Sequence, residues 1–230
     1  MLAVSAAIVT ACGGEPDHRV LFVGNSYTHY NDMPATVAKI ADAQGVNVSW
    51  DMIAPGGSYL DQHATNPDVI AALQSGDFDT VVFQEQSVIT SVPDLANQRT
   101  VPAARALDAA ADAAALRVLW FQTWGRLDGF PDVGHTSYTS MQDAVSATYR
   151  QIGQETGATI VPVGETWRRV QTRGLGISLF ADDGSHPSPA GSYVAALQIV
   201  EALTGQPVST APAVDGVDDA QAAALLEASR

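Results

Sequence analysis

The chain has 230 residues, 46% hydrophobic and 16% charged, a length that fits one domain burying roughly 70–75% of its unfolded surface. Lys+Arg 11 against Asp+Glu 25 leave a net charge of −14, a balance that repels nucleic acid and anionic lipid surfaces and disfavours polyanionic substrates. Cys12 stands alone, which excludes an internal disulfide and a cysteine zinc site, and no stretch approaches the ~20 consecutive apolar residues of a transmembrane helix.

Taken in order, the chain opens on a small-residue apolar run at 2–10, followed by Val9-Thr10-Ala11-Cys12. That tetrapeptide resembles the bacterial lipobox, in which the cysteine is lipidated and becomes the mature N-terminus. Residues 1–17 therefore read as a signal segment and a Gly-Gly tether, and 18–230 as one domain. The expected location is the cell envelope, as a secreted lipoprotein whose only membrane contact is the lipid at Cys12. The run departs from a secretory signal in having no Lys or Arg before it.

Residues 20–23 (Val-Leu-Phe-Val) have the length and apolarity of a central parallel strand, and 33–45 supplies the following helix. Residues 46–53 read as a second strand, 68–73 as a short helix and 79–84 as a third strand. An alanine-rich helix over 101–116 leads to a fourth strand at 117–122, then a loop over 123–134 that carries Trp124. Helix 141–156, strand 158–163, helix 190–203 and an alanine-rich acidic helix within 215–230 complete the pattern. Strands alternating with helices argue a parallel sheet covered on both faces. No internal repeat is present.

Chemistry concentrates at two distant stretches. Gly24-Asn25-Ser26 follows strand one, so the Ser26 hydroxyl lies beyond the carboxyl end of a parallel strand, where open α/β sheets bind ligands. A serine at such a turn is also a common helix cap. Far away, Asp183-Gly184-Ser185-His186 places a carboxylate three residues before an imidazole, a spacing that lets Asp183 accept from Nδ1 and leaves Nε2 to take a serine proton. Asp182 is the alternative partner. Ser188 and Pro189 then cap and start the next helix.

With these two blocks the chain resembles the SGNH (GDSL) hydrolase family across nearly all of its mature length. The family has a Gly-x-Ser after strand one and an Asp-x-x-His near its end. The resemblance implies a three-layer α/β/α fold, a flavodoxin-like five-stranded parallel sheet in the order 2-1-3-4-5, and no cofactor. It also implies a nucleophile, Ser26; a general base, His186, oriented by Asp183; and oxyanion donors at Ser26, at the glycine block and at an amide after strand three. Within Pro55-Gly56-Gly57-Ser58, Gly57 is the better donor and Gly56 the alternative. Gly-x-Asn-Asp is replaced by Gln84-Glu85-Gln86-Ser87, the variant expected of a divergent branch. Aligning strand ends puts Gln86 in the asparagine's place, with Gln84 the alternative.

His63, near the expected mouth, reads as a substrate-side contact, and Tyr27, Tyr30, Trp124 and Tyr138 as either an aromatic rim for substrate or packing residues. His18 reads as a residue flanking strand one and His135 as a loop residue. His29 and His63 make a conceivable metal pair, but the absence of a His-x-x-x-His helix or a third ligand nearby argues for no metal. The implied activity is a serine esterase acting through an acyl-enzyme, on short acyl groups of carbohydrate. A lipase or thioesterase is the same chemistry on another leaving group. The alternative from a different class is a non-catalytic glycan-binding envelope lipoprotein on the same fold, favoured by the missing Gly-x-Asn-Asp.

Overall fold

The structure, a computed structural model, describes residues 15–230; the Cys12 motif and its apolar run lie outside the described residues. In chain order the elements are β1 (His18–Val23), α1 (Ser26–His29), α2 (Met33–Asp42), β2 (Val48–Ile53), α3 (Leu60–His63), α4 (Pro67–Gln74), β3 (Thr80–Phe83) and α5 (Ser87–Ser91). They continue with α6 (Pro93–Leu95), α7 (Val101–Ala113), β4 (Arg117–Phe121), α8 (Tyr138–Thr156), β5 (Thr159–Val161), α9 (Val163–Thr172), α10 (Pro189–Thr204) and α11 (Asp219–Ser229). The strands form one all-parallel sheet in the order β2-β1-β3-β4-β5, the expected three-layer α/β/α arrangement.

Alternation along β1 builds the two cores. Val20 and Phe22 face one side, packing with Met33, Val37 and Ile40 of α2, Trp167 of α9 and the apolar residues of α10. Leu21 and Val23 face the other, against Val69 and Leu73 of α4, Leu107 of α7 and Tyr149 of α8. Helix α10 is buried nearly all round, because α2, α9 and α11 surround it. The terminal helix α11 packs through Ala222, Leu225 and Leu226 and carries a capping box, Asp218 with Gln221.

Five helices, α1, α3, α5, α6 and α9, stand where the sequence reading places none. Residues 158–163 read as one strand, but β5 stops at Val161 and α9 starts at Val163, burying Val163, Trp167 and Val170 at helical spacing. Ser87-Val88-Ile89-Thr90-Ser91, β-branched and polar, has weak helix propensity; it nevertheless forms α5, whose N-cap is Gln86.

The sheet order brings the carboxyl ends of β1 and β3 side by side at the point where the chain switches direction across the sheet. A crevice there is a consequence of topology.

Candidate active site

β1 delivers Gly24 to the sheet edge, where a Cβ would run into Thr28 Oγ1 and the Gln84 side chain, so glycine is required for space. Its backbone φ is not left-handed, so the requirement is close approach and not an unusual backbone conformation. Asn25, not Ser26, is the helix cap: its Oδ1 accepts from Tyr27 N–H at 3.1 Å. Ser26 is thus the first residue of α1, and its own N–H has no intrahelical partner. Asn25 Nδ2 also donates to Ser58 O at 2.9 Å, tying the nucleophile turn to the glycine block. The sequence reading passed over Asn25, although an asparagine before a helix is itself a cap signal.

Residues 181–187 form a closed turn, with Ala181 N–H donating to His186 O at 2.9 Å. Asp183 Oδ1 accepts from the Ser185 and His186 N–H groups, each at 2.9 Å, and Oδ2 accepts from His186 Nδ1–H at 2.5 Å. The opposite ring nitrogen, Nε2, lies 3.0 Å from Ser26 Oγ. With Nδ1 donating to the carboxylate, Nε2 is the proton acceptor for the serine hydroxyl. Partial burial raises the Asp183 pKa, but the hydrogen bonds from the His186 ring and the two backbone N–H groups outweigh it and hold the carboxyl at about 2. Asp182 makes no comparable contact.

Gly56 and Gly57 are the central pair of a turn closed by Ser58 N–H to Pro55 O at 3.2 Å. Gly57 has φ +75, which only glycine adopts cheaply, and it lines the cavity beside Ser26. Gln86 lines the same cavity. Its Oε1 accepts from Ile89 N–H at 3.0 Å, an orientation that leaves the amide Nε2 as a donor. Gln84, in contrast, is buried with both ends engaged: Oε1 accepts from Asn25 N–H and Thr28 Oγ1, each at 2.9 Å, and Nε2 donates to Glu85 O at 2.7 Å. Glu85 turns away from the cavity and is buried. Its Oε1 accepts from Leu60 N–H at 3.0 Å and Gln86 N–H at 2.8 Å, and its Oε2 from Thr100 Oγ1 at 3.0 Å. Burial pushes its carboxyl up to about 7 against those hydrogen bonds.

Two expected substrate contacts are core residues instead. His63 is 2% exposed, tucked under the Ser26 turn, with Nε2 donating to Gly24 O at 2.8 Å; burial lowers its pKa, against the hydrogen bond to Gly24 O. Trp124 is fully buried, sandwiched between Tyr27 at 4.6 Å and Trp167 at 3.8 Å. Its Nε1–H donates to Ser185 O at 3.0 Å, so the indole supports the histidine loop from below. Tyr27 tops this aromatic column, lines the cavity and shares a 2.7 Å hydrogen bond with Ser185 Oγ. The exposed aromatic wall is Tyr30, stacked on His186 with ring centroids 4.3 Å apart. Tyr138 donates to Gly164 O away from the cavity, and His135 holds Ser91 O. His29 lines the cavity with Nδ1 on Ala54 O at 2.8 Å, while the His63 ring is turned to the Gly24 carbonyl. Arg126, which the sequence reading did not single out, also lines the cavity.

No family model matches the sequence, and no curated protein is significantly similar to it. Solved structures are. A proposed SGNH hydrolase from Slackia heliotrinireducens is 29% identical, with a TM-score of 0.67, covering 81% of this chain and 98% of that one. The chain is similar to the SGNH hydrolases in fold and in the order of its site residues. It also shares its fold with a DUF4886 family protein from Bacteroides uniformis, at 18% identity, TM-score 0.77 and coverage of 92% and 93%. A single-residue variant of an acetyl xylan esterase from Geobacillus stearothermophilus aligns at 16% identity and TM-score 0.64, covering 85% of this chain and 98% of that one.

Proposed function

We propose that this protein is a serine esterase that cleaves carboxylic esters through an acyl-enzyme, with short acyl groups on carbohydrate as its substrates. The observation that carries the reading is the continuous relay from Ser26 Oγ to His186 Nε2 at 3.0 Å and from His186 Nδ1 to Asp183 at 2.5 Å. A glycan-binding module has no use for that alignment.

In the proposed reaction Ser26 Oγ attacks the ester carbonyl as His186 Nε2 takes its proton. The oxyanion is met by the Ser26 and Gly57 N–H groups and by Gln86 Nε2. His186 then returns the proton to the departing alkoxide, and a water activated by the same nitrogen releases the acid. A cavity of about 440 Å³ with a mixed polar and aromatic lining suits a small acyl group on a hydroxylated alcohol better than a long acyl chain. The acetyl xylan esterase on the same fold is a precedent for such a substrate.

The test is labelling with a fluorophosphonate probe, which should modify Ser26 in the wild type and not in Ser26→Ala. The variant should keep its melting temperature and lose at least about 10³-fold in kcat on p-nitrophenyl acetate. Hydrolysis retained by Ser26→Ala would remove the nucleophile from the reading.

A lipid on Cys12 is the accompanying proposal for location, supported by Val9-Thr10-Ala11-Cys12 and by an acidic chain with no affinity of its own for anionic membranes. Cys12→Ala should move the protein from the membrane fraction to the soluble fraction of cells making the natural precursor. A soluble, unlipidated wild type refutes it.

A further inference from the structure

Most arginines of this acidic chain are matched by acceptors. Arg19, Arg99, Arg105, Arg168 and Arg230 pair with carboxylates, while Arg117 and Arg169 donate to backbone carbonyls. Arg126 is half-buried and pairs with no carboxylate among the described residues, and its buried Nε has no hydrogen-bond partner there. Withdrawing a guanidinium from water without an acceptor is unfavourable unless something else supplies one.

Its position says what that would be. Arg126 and Gln86 are shared by two adjoining cavities, the one holding Ser26 and a second of about 270 Å³. The second is walled by Val88, Ile89, Leu95 and the rings of Tyr59 and Phe130. The guanidinium carbon of Arg126 sits 4.3 Å from the Phe130 ring centroid, a cation–π contact that supplies no hydrogen-bond acceptor to its N–H groups. Arg99 lies over Tyr59 at 4.8 Å, but Asp61 already neutralises it through hydrogen bonds at 2.7 and 3.1 Å. One uncompensated cation therefore stands beside the nucleophile, next to an apolar and aromatic cleft. On a molecule of net charge −14 the general field repels anions, so an anion-accepting point must be local and built in.

We infer that Arg126 is a specificity determinant that binds a carboxylate on the substrate, whose remaining apolar or ring portion lies in the second cavity. The substrate class is a monoanionic carboxylate-bearing ester. A planar guanidinium receives a carboxylate through two parallel hydrogen bonds, which a lysine does not reproduce. The inference rests on the esterase reading for the position of the ester relative to Arg126, and it sharpens that reading by naming a charge on the substrate.

Two substrate pairs locate the carboxylate. On the acyl side, p-nitrophenyl hydrogen glutarate is compared with p-nitrophenyl pentanoate; on the alcohol side, para-acetoxybenzoate is compared with its methyl ester. In at least one pair, the anionic-to-neutral ratio of kcat/KM should fall by about tenfold or more in Arg126→Gln, the size of a lost hydrogen-bonded charge. Arg126→Lys should fall between wild type and Arg126→Gln. Ratios within twofold of wild type in both pairs for Arg126→Gln overturn the inference while leaving the esterase intact. Calorimetry with Ser26→Ala and with Ser26→Ala/Arg126→Gln reads binding of the same four esters without turnover. Loss of anion preference in the double variant, together with a wild type that hydrolyses none of them, keeps the carboxylate site and removes the esterase. No difference in binding in either pair counts against the site.

Discussion

The two halves of the candidate catalytic centre are built by different means. Ser26 and the cavity face of Gln86 hang on strand ends, and buried side chains that accept backbone N–H groups fasten them: Gln84 to Asn25, Glu85 to Leu60 and Gln86, Asn25 to Tyr27. Asp183 and His186 sit on a loop between Phe180 and Pro187, supported by the stacked column Tyr27–Trp124–Trp167 and capped outside by Tyr30. The nucleophile half is thus set by hydrogen bonds that fail if one buried atom changes. The histidine half depends on aromatic packing, which is less directional and spread over more contacts.

The largest expected effect breaks the histidine half. Trp124→Ala removes the middle of the column and leaves a cavity at a fully buried site, costing about 3–5 kcal/mol in denaturant unfolding. Trp124→Phe keeps a ring in the stack but removes the donor to Ser185 O, so kcat should drop more than stability does. Equal losses of both in Trp124→Phe would mean that the column serves the fold alone.

Gln86 and Gln84 divide the nucleophile half between chemistry and support. Gln86→Ala should cost about 2.7–4 kcal/mol of transition-state stabilisation, or about 10²–10³ in kcat, with little change in KM. Gln84→Ala should act on stability, since its amide is fully engaged inside. The converse pattern, activity lost only with Gln84, would reassign the donor.

Glu85 makes the nucleophile half sensitive to pH. Below the ordinary glutamate pKa of about 4.3 the carboxyl is protonated in both folded and unfolded chains. As pH rises the unfolded chain ionises first, while burial keeps the folded carboxyl protonated until about 7. Stability from this group is therefore present at low pH and declines by about 3–4 kcal/mol across that window, then levels off. Glu85→Gln can keep both backbone acceptor bonds and the Thr100 contact, so its unfolding free energy should gain on the wild type by that amount between pH 4 and 8. Parallel curves would dispose of the idea.

The smallest effect belongs to Tyr30. Stacked on His186, its ring favours the imidazolium that forms when Ser26 attacks, an interaction of about 0.5–1 kcal/mol at an exposed site. Tyr30→Ala should lower kcat about two- to fivefold with the melting temperature unchanged; Tyr30→Phe should restore it.

Much of this molecule is written in local chemistry. Apolar runs bounded by turn residues and separated by helical stretches specify strands and crossovers, and three-residue spacing from Asp183 to His186 on a turn suffices for the hydrogen bond between them. Ser26, Asp183 and His186 were legible because each is identified by its immediate neighbours. Other features were decided only when distant segments met. His63 lies close in sequence to the glycine block, yet α3 turns its ring beneath Gly24, where the carbonyl needs a donor and water is excluded. Trp124 follows β4 on the same edge as the site, but α9, which carries Trp167, covers it. Which of Gln84 and Gln86 turns inward likewise depended on which amide found buried partners across the β1–β3 seam. Composition and spacing state which groups a segment offers; which of them face water, substrate or one another depends on burial, and burial is a property of the assembled layers.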